Sequence, residues 1–278
     1  MLHPFQFGKD VFDPTNRFVT SWLLPPWALL LCLYSFTAEI FILAWDCAYP
    51  ELDGCSASRS TFSYFTVLTY WGISFYFLVS SIHTLTYIVS GTPLLSRFPR
   101  LLQALHSLSY TTVIVYPFIV TVIYWGVLYS SPWFPTVFGA WSNISQHAMN
   151  SLFALIEILL TRTETPLPIH MLWLIVILAI YCGLAYVTHA IKGVYVYSFL
   201  DPGKNGKGVV AGYILGIAVG SLVVFGAAWG LIWTRRWVAE KKFAMIGKFA
   251  IRDKTGVIME MRGTGSRIRT RESEIERK

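Results

Sequence analysis

The sequence predicts an all-α, polytopic integral membrane protein with six transmembrane helices and both termini in the cytosol. Three observations lead to this prediction: 55% of the 278 residues are hydrophobic, only 13% are charged, and the mean hydropathy is +0.54. A soluble globule of this size has too little interior to bury so much apolar surface. Because about 20 consecutive apolar residues can cross a bilayer as a helix, spanning helices are the direct interpretation.

Six apolar segments organise the chain. Residues 1–20 form a polar lead-in without the continuous apolar core of a cleavable signal peptide, so we expect the first apolar segment to act as its own signal. A transmembrane domain is predicted at 21–234 and a basic cytosolic tail at 235–278. The six segments lie approximately at residues 22–45, 62–89, 107–130, 140–161, 171–191 and 209–234.

The basic residues set the predicted orientation. The tail alone carries 13 Lys and Arg against 6 Asp and Glu. With a cytosolic N-terminus, 18 basic residues fall on the inner side and four on the outer, as the positive-inside rule expects. We expect the tail to bind anionic lipid headgroups. No aromatic platform or folded module accompanies the charge, so binding to nucleic acid is not expected.

Four cysteines form no metal-binding pattern. Cys47 and Cys55 share one short acidic loop, where they form a disulfide if the loop is lumenal and stay free otherwise. Cys32 and Cys182 lie in apolar segments, which favours a packing role. No phosphate loop, GxSxG motif or redox-cofactor motif is present, so we expect neither a metal nor a cofactor.

The fourth apolar segment carries a polar stripe. Asn143, His147, Asn150 and Glu157 follow one another at spacings that place them on one helical face, and Gln146 lies beside them. Polar side chains at membrane depth cost several kcal/mol unless they are partnered, which marks them as functional candidates. An intramembrane histidine with polar neighbours is a candidate general base.

Thr66, near the start of the second segment, is the candidate nucleophile. At a helical rise of about 1.5 Å per residue, Thr66 lies about 7–8 Å and His147 about 9 Å below the outer end of their helices. A threonine and a histidine within hydrogen-bond reach can act as nucleophile and base. Three alternatives remain open: Thr66 bonds its own backbone, Thr69 or Thr121 is the nucleophile, or His189 is the base.

Glu39 is the predicted third member of the site. A histidine base works best when another group fixes its tautomer. Glu157 lies about 15 Å deeper on the same helix as His147, whereas Glu39 lies about 9 Å below the outer end of the first helix. We therefore expect Glu39 to line the same cavity and to approach His147 or Thr66. The alternative is a protonated Glu39, or one bonded to a hydroxyl of a neighbouring helix.

Two stretches resemble the androgen-induced integral membrane hydrolases. Residues 64–71 resemble the threonine-bearing segment of that family, and residues 141–157, with the core Gln-His-Ala-Met-Asn, resemble its histidine segment. Uncharacterised fungal members are more similar still, through residues 12–18, 21–27 and 199–203. The resemblance covers roughly residues 10–250. The chain departs from the family in its long acidic first loop, its extended loop between the fifth and sixth segments, and its basic tail.

This resemblance implies a multi-pass hydrolase that cleaves fatty acid esters of hydroxy fatty acids, with Thr66 as nucleophile and His147 as base. A lipid ester would enter laterally from the bilayer. Oxyanion donors would come from Asn143, Gln146 or Asn150. We expect the protein in the endoplasmic reticulum or another endomembrane rather than in the plasma membrane.

A non-enzymatic membrane protein is the alternative function, either a small-solute or proton-coupled transporter or a membrane organiser. Glu39, His147 and Glu157 would suit a proton path equally well. The absence of a convincing internal repeat argues against a transporter.

Glycines spaced by four residues mark the sixth segment: Gly212, Gly216 and Gly220. Small residues at this spacing allow helix backbones to approach closely. Close packing within the monomer is the favoured interpretation, and a homodimer contact is the other.

Overall fold

The computed structural model describes residues 24–49, 54–90, 94–161, 163–243, 250–252 and 258–260. The predicted N-terminal lead-in and most of the predicted tail lie outside these residues. Almost all of the described chain is helical. A two-stranded antiparallel ribbon is the exception, formed by β1 (Ala250–Arg252) and β2 (Ile258–Glu260).

Five helices of the described chain are long and apolar enough to cross a membrane. They are α1 (Leu24–Ala48), α3 (Phe65–Ser90), α4 (Arg100–Ile123), α7 (His170–Lys192) and α9 (Lys207–Arg236). Two shorter helices, α2 (Gly54–Thr61) and α8 (Pro202–Asn205), lie in the connections. The predicted class, an all-α multi-pass membrane protein, is confirmed.

The fourth apolar segment folds as a helical run with a widened turn at its centre. Helix α5 (Val137–Ile144) leads into a π-helical turn, Ser145–Met149, and α6 (Asn150–Leu160) completes the run. Isolated π-helical turns are rare and often occur at functional sites. The run is not one of the five helices that are long and apolar enough to cross a membrane, because its polar stripe lowers its mean hydropathy. A total of six transmembrane helices and the cytosolic location of both termini therefore stay predictions.

Helix α4 lies at the centre of the bundle. It packs against α3, α6, α7 and α9, while α1 packs against α3 on the outside. Helix α4 is buried on nearly all sides from Tyr110 to Val120, and it meets Phe77 of α3, Ile158 of α6 and Leu174 of α7 in the main core. Some of the apolar side chains of the segments therefore pack in the interior of the bundle. Many other large apolar side chains are exposed on its exterior.

A disulfide and several hydrogen bonds connect neighbouring elements at the two ends of the bundle. At the disulfide end, Cys47 at the end of α1 is bonded to Cys55 of α2, with their Cα atoms 4.1 Å apart. The question that the sequence left open is thereby answered in favour of a disulfide. Lys192 Nζ, at the end of α7, donates to Ser60 Oγ at 3.0 Å. At the opposite end, which we call the Arg235 end, the guanidinium of Arg235 caps α6.

The glycines of α9 do not all serve packing within the monomer. An added Cβ at Gly212 or Gly216 would meet nothing within 4 Å, whereas at Gly220 it would lie 3.8 Å from Ile119 of α4, an ordinary contact distance. Of the three glycines, only Gly220 therefore faces a neighbouring helix of the described monomer at this range. The homodimer stays a prediction.

Candidate functional site

His147 lies on the π-helical turn, and its side chain is buried. Its Nδ1 is 3.0 Å from the backbone oxygen of Asn143. Because a carbonyl oxygen only accepts hydrogen bonds, Nδ1 must carry the proton, which leaves a lone pair on Nε2. Among the described residues, Nε2 has no hydrogen-bond partner. This tautomer is the one that a general base requires.

Tyr124 and Trp125, at the end of α4, hold the imidazole in place. The Tyr124 ring stacks on the His147 ring with centroids 3.5 Å apart and planes 16° apart. The Tyr124 hydroxyl donates to Asn143 Oδ1 at 2.5 Å, and Trp125 Nε1 donates to the backbone oxygen of His147 at 3.0 Å. Both aromatic residues belong to a second π-helical turn, Tyr124–Leu128. Two widened turns on neighbouring helices thus fix the orientation of His147.

The two asparagines of the polar stripe connect helices. Asn143 accepts from Tyr124 and donates through Nδ2 to the Gly139 backbone oxygen at 2.8 Å. Asn150 accepts from Thr121 of α4 at 3.1 Å, and its Nδ2 lies 3.4 Å from the backbone oxygen of Pro117. Each side-chain amide is therefore bonded at both its oxygen and its nitrogen.

Gln146 is the least restrained of the three predicted oxyanion donors. Its Nε2 donates to Glu39 Oε1 at 3.1 Å, and within the described chain its Oε1 has no hydrogen-bond partner. Glu39 itself is only 1% exposed and belongs to α1. No hydrogen bond joins Glu39 to His147 or to Thr66. Glu39 therefore reaches the site through Gln146, and the Asn143 carbonyl fixes the histidine tautomer instead.

Thr66 is the second residue of α3, and its side chain is buried. Tyr197, in the connection between α7 and α8, lies beside the start of α3. The Phe65 N–H points at two tyrosine hydroxyls, 3.1 Å from Tyr181 Oη and 3.0 Å from Tyr197 Oη. Within the described chain the Thr66 hydroxyl bonds no backbone oxygen, because its position precedes the first complete turn of α3. The structure also shows no hydrogen bond between Thr66 and His147.

The rival candidates have structural partners. Thr69 Oγ1 bonds the backbone oxygens three and four residues before it, each at 2.9 Å. Thr121 bonds Asn150 and Ser151 of α6. His189, near the end of α7, stacks on Tyr195 with ring centroids 3.7 Å apart, and its buried Nδ1 has no hydrogen-bond partner among the residues that the structure describes. Of the three candidate threonines, only Thr66 has a hydroxyl that, within the described chain, bonds neither its own backbone nor a side chain of a neighbouring helix.

An apolar groove of about 290 Å³ opens between α3, α4 and α7. It extends along α3 from Phe65, at the start of that helix, to Gly72. The residues that line it include Phe65, Leu68, Thr69, Tyr116, Ile177 and Tyr181.

A second buried polar cluster surrounds Glu157 at the Arg235 end. The Tyr76 hydroxyl donates to Glu157 Oε1 at 2.7 Å. Arg235 Nη1 donates to the Ile158 backbone oxygen at 2.7 Å, and Nη2 donates to the Thr163 backbone oxygen. The cluster lies ten residues beyond His147 in the chain, so Glu157 belongs to a different level of the bundle.

Several residues of the site escaped the sequence analysis, namely Tyr124, Trp125, Tyr181 and Tyr197. The chain has 15 tyrosines and 11 tryptophans, and both types are expected at membrane interfaces for reasons unrelated to a site. Their residue types therefore did not mark these four as site residues. Only their contacts in the folded structure identify them. No group of three or more potential metal ligands occurs in the described part of the chain.

Comparison with protein-family models, with curated proteins and with solved structures finds no match. The resemblance to the androgen-induced hydrolases therefore stays a prediction.

Proposed function

We propose that this protein is a membrane-embedded hydrolase of lipid esters, with Thr66 as nucleophile and His147 as general base. The observation that carries the proposal is the state of His147. Its imidazole is buried, its Nδ1 is held by the Asn143 carbonyl, and its Nε2 has no partner among the described residues. Nε2 is not one of the fully buried unpaired atoms of the described chain, whereas Nδ1 of the rival His189 is, so the lone pair of His147 can be reached by a hydroxyl group.

The position of Thr66 supports the pairing. Thr66 begins the inward-facing stripe of α3, which continues through the buried residues Tyr70, Ile73 and Phe77. The same helix packs against the π-helical turn that carries His147. Catalytic hydrogen bonds are often long or unformed without substrate, so the missing Thr66–His147 bond does not conflict with the proposal.

The chemistry follows the pattern of nucleophilic acyl transfer. Thr66 Oγ1 attacks the ester carbonyl carbon while its proton passes to His147 Nε2. The tetrahedral intermediate then breaks the bond to the alcohol, which takes the proton from His147 as it leaves. Water, deprotonated by the same histidine, hydrolyses the acyl-threonine and restores the free hydroxyl.

Gln146 is the proposed donor to the oxyanion. One hydrogen of its amide nitrogen is bound to the buried Glu39 carboxyl, and the second hydrogen is left to donate to the oxyanion. The substrate, proposed to be a fatty acid ester of a hydroxy fatty acid, would enter through the groove between α3, α4 and α7. The protein would reside in the endoplasmic reticulum or another endomembrane, with its basic tail on anionic headgroups.

Proton-coupled transport is the second candidate function. Glu39 and Glu157 are 1% and 4% exposed and occupy different levels of the bundle. Buried carboxyls at successive depths are typical of proton pathways. A transporter, however, has no need of a threonine hydroxyl that is free of backbone bonds.

A serine- and threonine-directed fluorophosphonate probe separates the two functions. The full-length protein in native membranes should be labelled, and Thr66→Ala and His147→Ala should each abolish labelling without loss of expression. Thr188→Ala is the matched control, because Thr188 is also a buried helical threonine but bonds its own backbone at Leu184. Labelling that persists in Thr66→Ala would reject Thr66, and an unlabelled wild type would favour the transporter.

A further inference from the structure

The groove between α3 and α7 has its floor on α4. Leu68 and Gly72 of α3 face Ile180 and Leu184 of α7 across it, and all four positions are exposed, whereas Tyr116 of α4 is buried. Each of the three helices is long and apolar enough to cross a membrane. A groove that opens on the surface of such helices meets the hydrocarbon of a bilayer rather than water.

The polar groups that line the groove are bonded within the protein. Four of the lining residues carry a hydroxyl, and each hydroxyl donates to a backbone oxygen at 2.8–2.9 Å. These residues are Thr69, Thr112, Tyr116 and Tyr181. The other described residues of the lining have no polar side-chain atom. A polar ligand would therefore find no hydroxyl hydrogen to accept and would leave its own groups unpaired, which favours a hydrocarbon chain as the occupant.

The size of the groove suits one chain. Its volume of about 290 Å³ lies at the lower end of the range for small-ligand sites, about 300–1,000 Å³. Along α3 it runs from Phe65 to Gly72, which is about 10 Å at the helical rise of about 1.5 Å per residue. A phospholipid with two chains and a charged headgroup is too large for this space, whereas a single acyl chain fits it.

We propose that the groove binds the acyl chain of the lipid ester, and that Gly72 keeps the groove open to long chains. This inference rests on the proposed hydrolase. The groove adjoins the proposed nucleophile through two of its lining residues. Phe65 directly precedes Thr66, and the Thr69 hydroxyl donates to the Thr66 backbone oxygen at 2.9 Å. The ester group lies at the Phe65 end of the groove, and the chain extends from there towards Gly72.

Gly72 lies at the far end of the groove along α3. An added Cβ at this position would meet nothing within 4 Å, so a larger side chain would fill space that the acyl chain needs. Short chains would not reach Gly72 and would be unaffected. Because bilayer and groove are both apolar, the preference for a chain comes from packing contacts rather than from transfer out of water.

The first experiment measures hydrolysis of p-nitrophenyl butanoate, octanoate and hexadecanoate by the full-length protein in detergent micelles. Gly72→Leu should lower kcat/KM for the hexadecanoate about tenfold and leave the butanoate unchanged. Ile180→Phe narrows the groove from the facing helix and should change the preference in the same direction. Gly226→Leu is the matched control, because Gly226 is also exposed with nothing within 4 Å of an added Cβ but lies on α9, outside the groove.

Thermal unfolding of each variant separates a filled groove from a damaged fold. Leucine favours a helix more than glycine does, so Gly72→Leu should be at least as stable as the wild type. If the folded Gly72→Leu and Ile180→Phe variants treat all three esters as the wild type does, or lose activity equally on all three, the role of the groove is overturned and the hydrolase stands.

The second experiment measures binding without hydrolysis. A hexadecanoic acid that carries a photoreactive diazirine should cross-link to residues 65–72 or 177–184 of the wild type, and several-fold less to Gly72→Leu. Cross-links confined to other segments would overturn the groove. A phosphatidylcholine with the same photoreactive chain should label these segments weakly, and equal labelling would assign the groove to bilayer lipid instead. If the acid labels the groove of a wild type that hydrolyses no ester and does not react with fluorophosphonate, the hydrolase is overturned and the chain-binding site remains.

Discussion

Asn143 supports His147 with two different oxygen atoms. Its backbone oxygen receives the imidazole N–H, and its side-chain oxygen receives the hydroxyl of the tyrosine that stacks on the same imidazole. The three residues form a closed arrangement in which Tyr124, Asn143 and His147 each contact the other two. Loss of one contact should therefore loosen the histidine without removing it.

Tyr124→Phe tests this arrangement at the residue scale. The variant keeps the stacked ring but leaves Asn143 Oδ1 without its hydroxyl donor, which should cost about 1–3 kcal/mol of stability. The imidazole should sample more orientations, and the labelling rate should fall several-fold. Differential scanning fluorimetry and labelling kinetics measure the two effects. Tyr129→Phe is the control, since within the described chain its hydroxyl makes no hydrogen bond. Equal behaviour of the two variants would contradict the role of Tyr124.

Glu39 gives a second prediction at this scale. Because the Asn143 carbonyl fixes the tautomer of His147, and Glu39 bonds only Gln146, Glu39→Gln should leave the pH profile of labelling unchanged. Glu39→Ala removes the acceptor of the Gln146 amide and should slow labelling by roughly tenfold through a misplaced oxyanion donor. The measurement is the fluorophosphonate labelling rate of each Glu39 variant between about pH 5 and pH 9. A shift of the profile in Glu39→Gln would mean that the carboxyl acts on His147 directly.

Sequence patterns located these residues but not their partners. The spacing of polar residues on the fourth segment and the depth of Glu39 were enough to select His147, Gln146 and Glu39, which the structure places on facing helices. That Gln146 rather than His147 meets Glu39 depends on the exact rotation of two helices. Neighbouring positions on a helix point about 100° apart, so a small rotation changes which one faces a partner.

At the scale of single elements, the π-helical turns are the features that periodicity could not predict. A spacing of four and three residues assumes a regular α-helix, and the turn Ser145–Met149 widens the helix within the polar stripe. Asn150 and Glu157 are consequently rotated relative to Asn143. The stripe therefore faces different neighbours along its length, and Glu157, ten residues beyond His147, meets Tyr76 at a different level of the bundle.

Helix α9 provides the prediction at this scale. Gly212→Leu and Gly216→Leu should not destabilise the monomer and should stabilise it by up to about 1 kcal/mol each, because leucine favours a helix, both positions are exposed and an added Cβ would meet nothing within 4 Å. Gly220→Leu is the comparison variant, because a side chain at this position would point at Ile119 of α4. Thermal unfolding measures stability, and chemical cross-linking in membranes measures the dimer. If these glycines form a homodimer contact, the first two variants should abolish the cross-link. A destabilised monomer would contradict the open surroundings of Gly212 and Gly216.

At the scale of the whole molecule, the number of times that the chain crosses the membrane is the property to measure. Single cysteines at positions 52, 97 and 164 settle it when labelled from each side of sealed vesicles. If the run from α5 to α6 crosses the bilayer, Arg97→Cys and Glu164→Cys should react from the same side and Leu52→Cys from the other. If the run does not cross, Glu164→Cys should react from the side of Leu52→Cys. Reaction of positions 52 and 97 from one side would reject the six-helix topology altogether.

The overall fold was largely predictable because a bilayer leaves few options. Backbone groups in an apolar solvent must pair within their own segment, so apolar stretches of sufficient length become helices. The bounds of α3, α7 and α9 accordingly lie close to those of the apolar segments. The neighbours of each helix were not predictable, since packing between apolar helices depends on shape rather than on polarity. The central place of α4 is an example.

Arg235 belongs structurally to the helical bundle, although hydropathy places the boundary between the last helix and the tail just before it. By composition it is the first residue of the basic tail, yet its guanidinium binds the backbone oxygens of Ile158 and Thr163 at the end of α6. Charge-assisted hydrogen bonds of this kind are worth about 1.5–3 kcal/mol each. The minimal stable unit must therefore extend past position 234. Proteolytic shortening of the chain from its C-terminus should be tolerated only as far as this arginine.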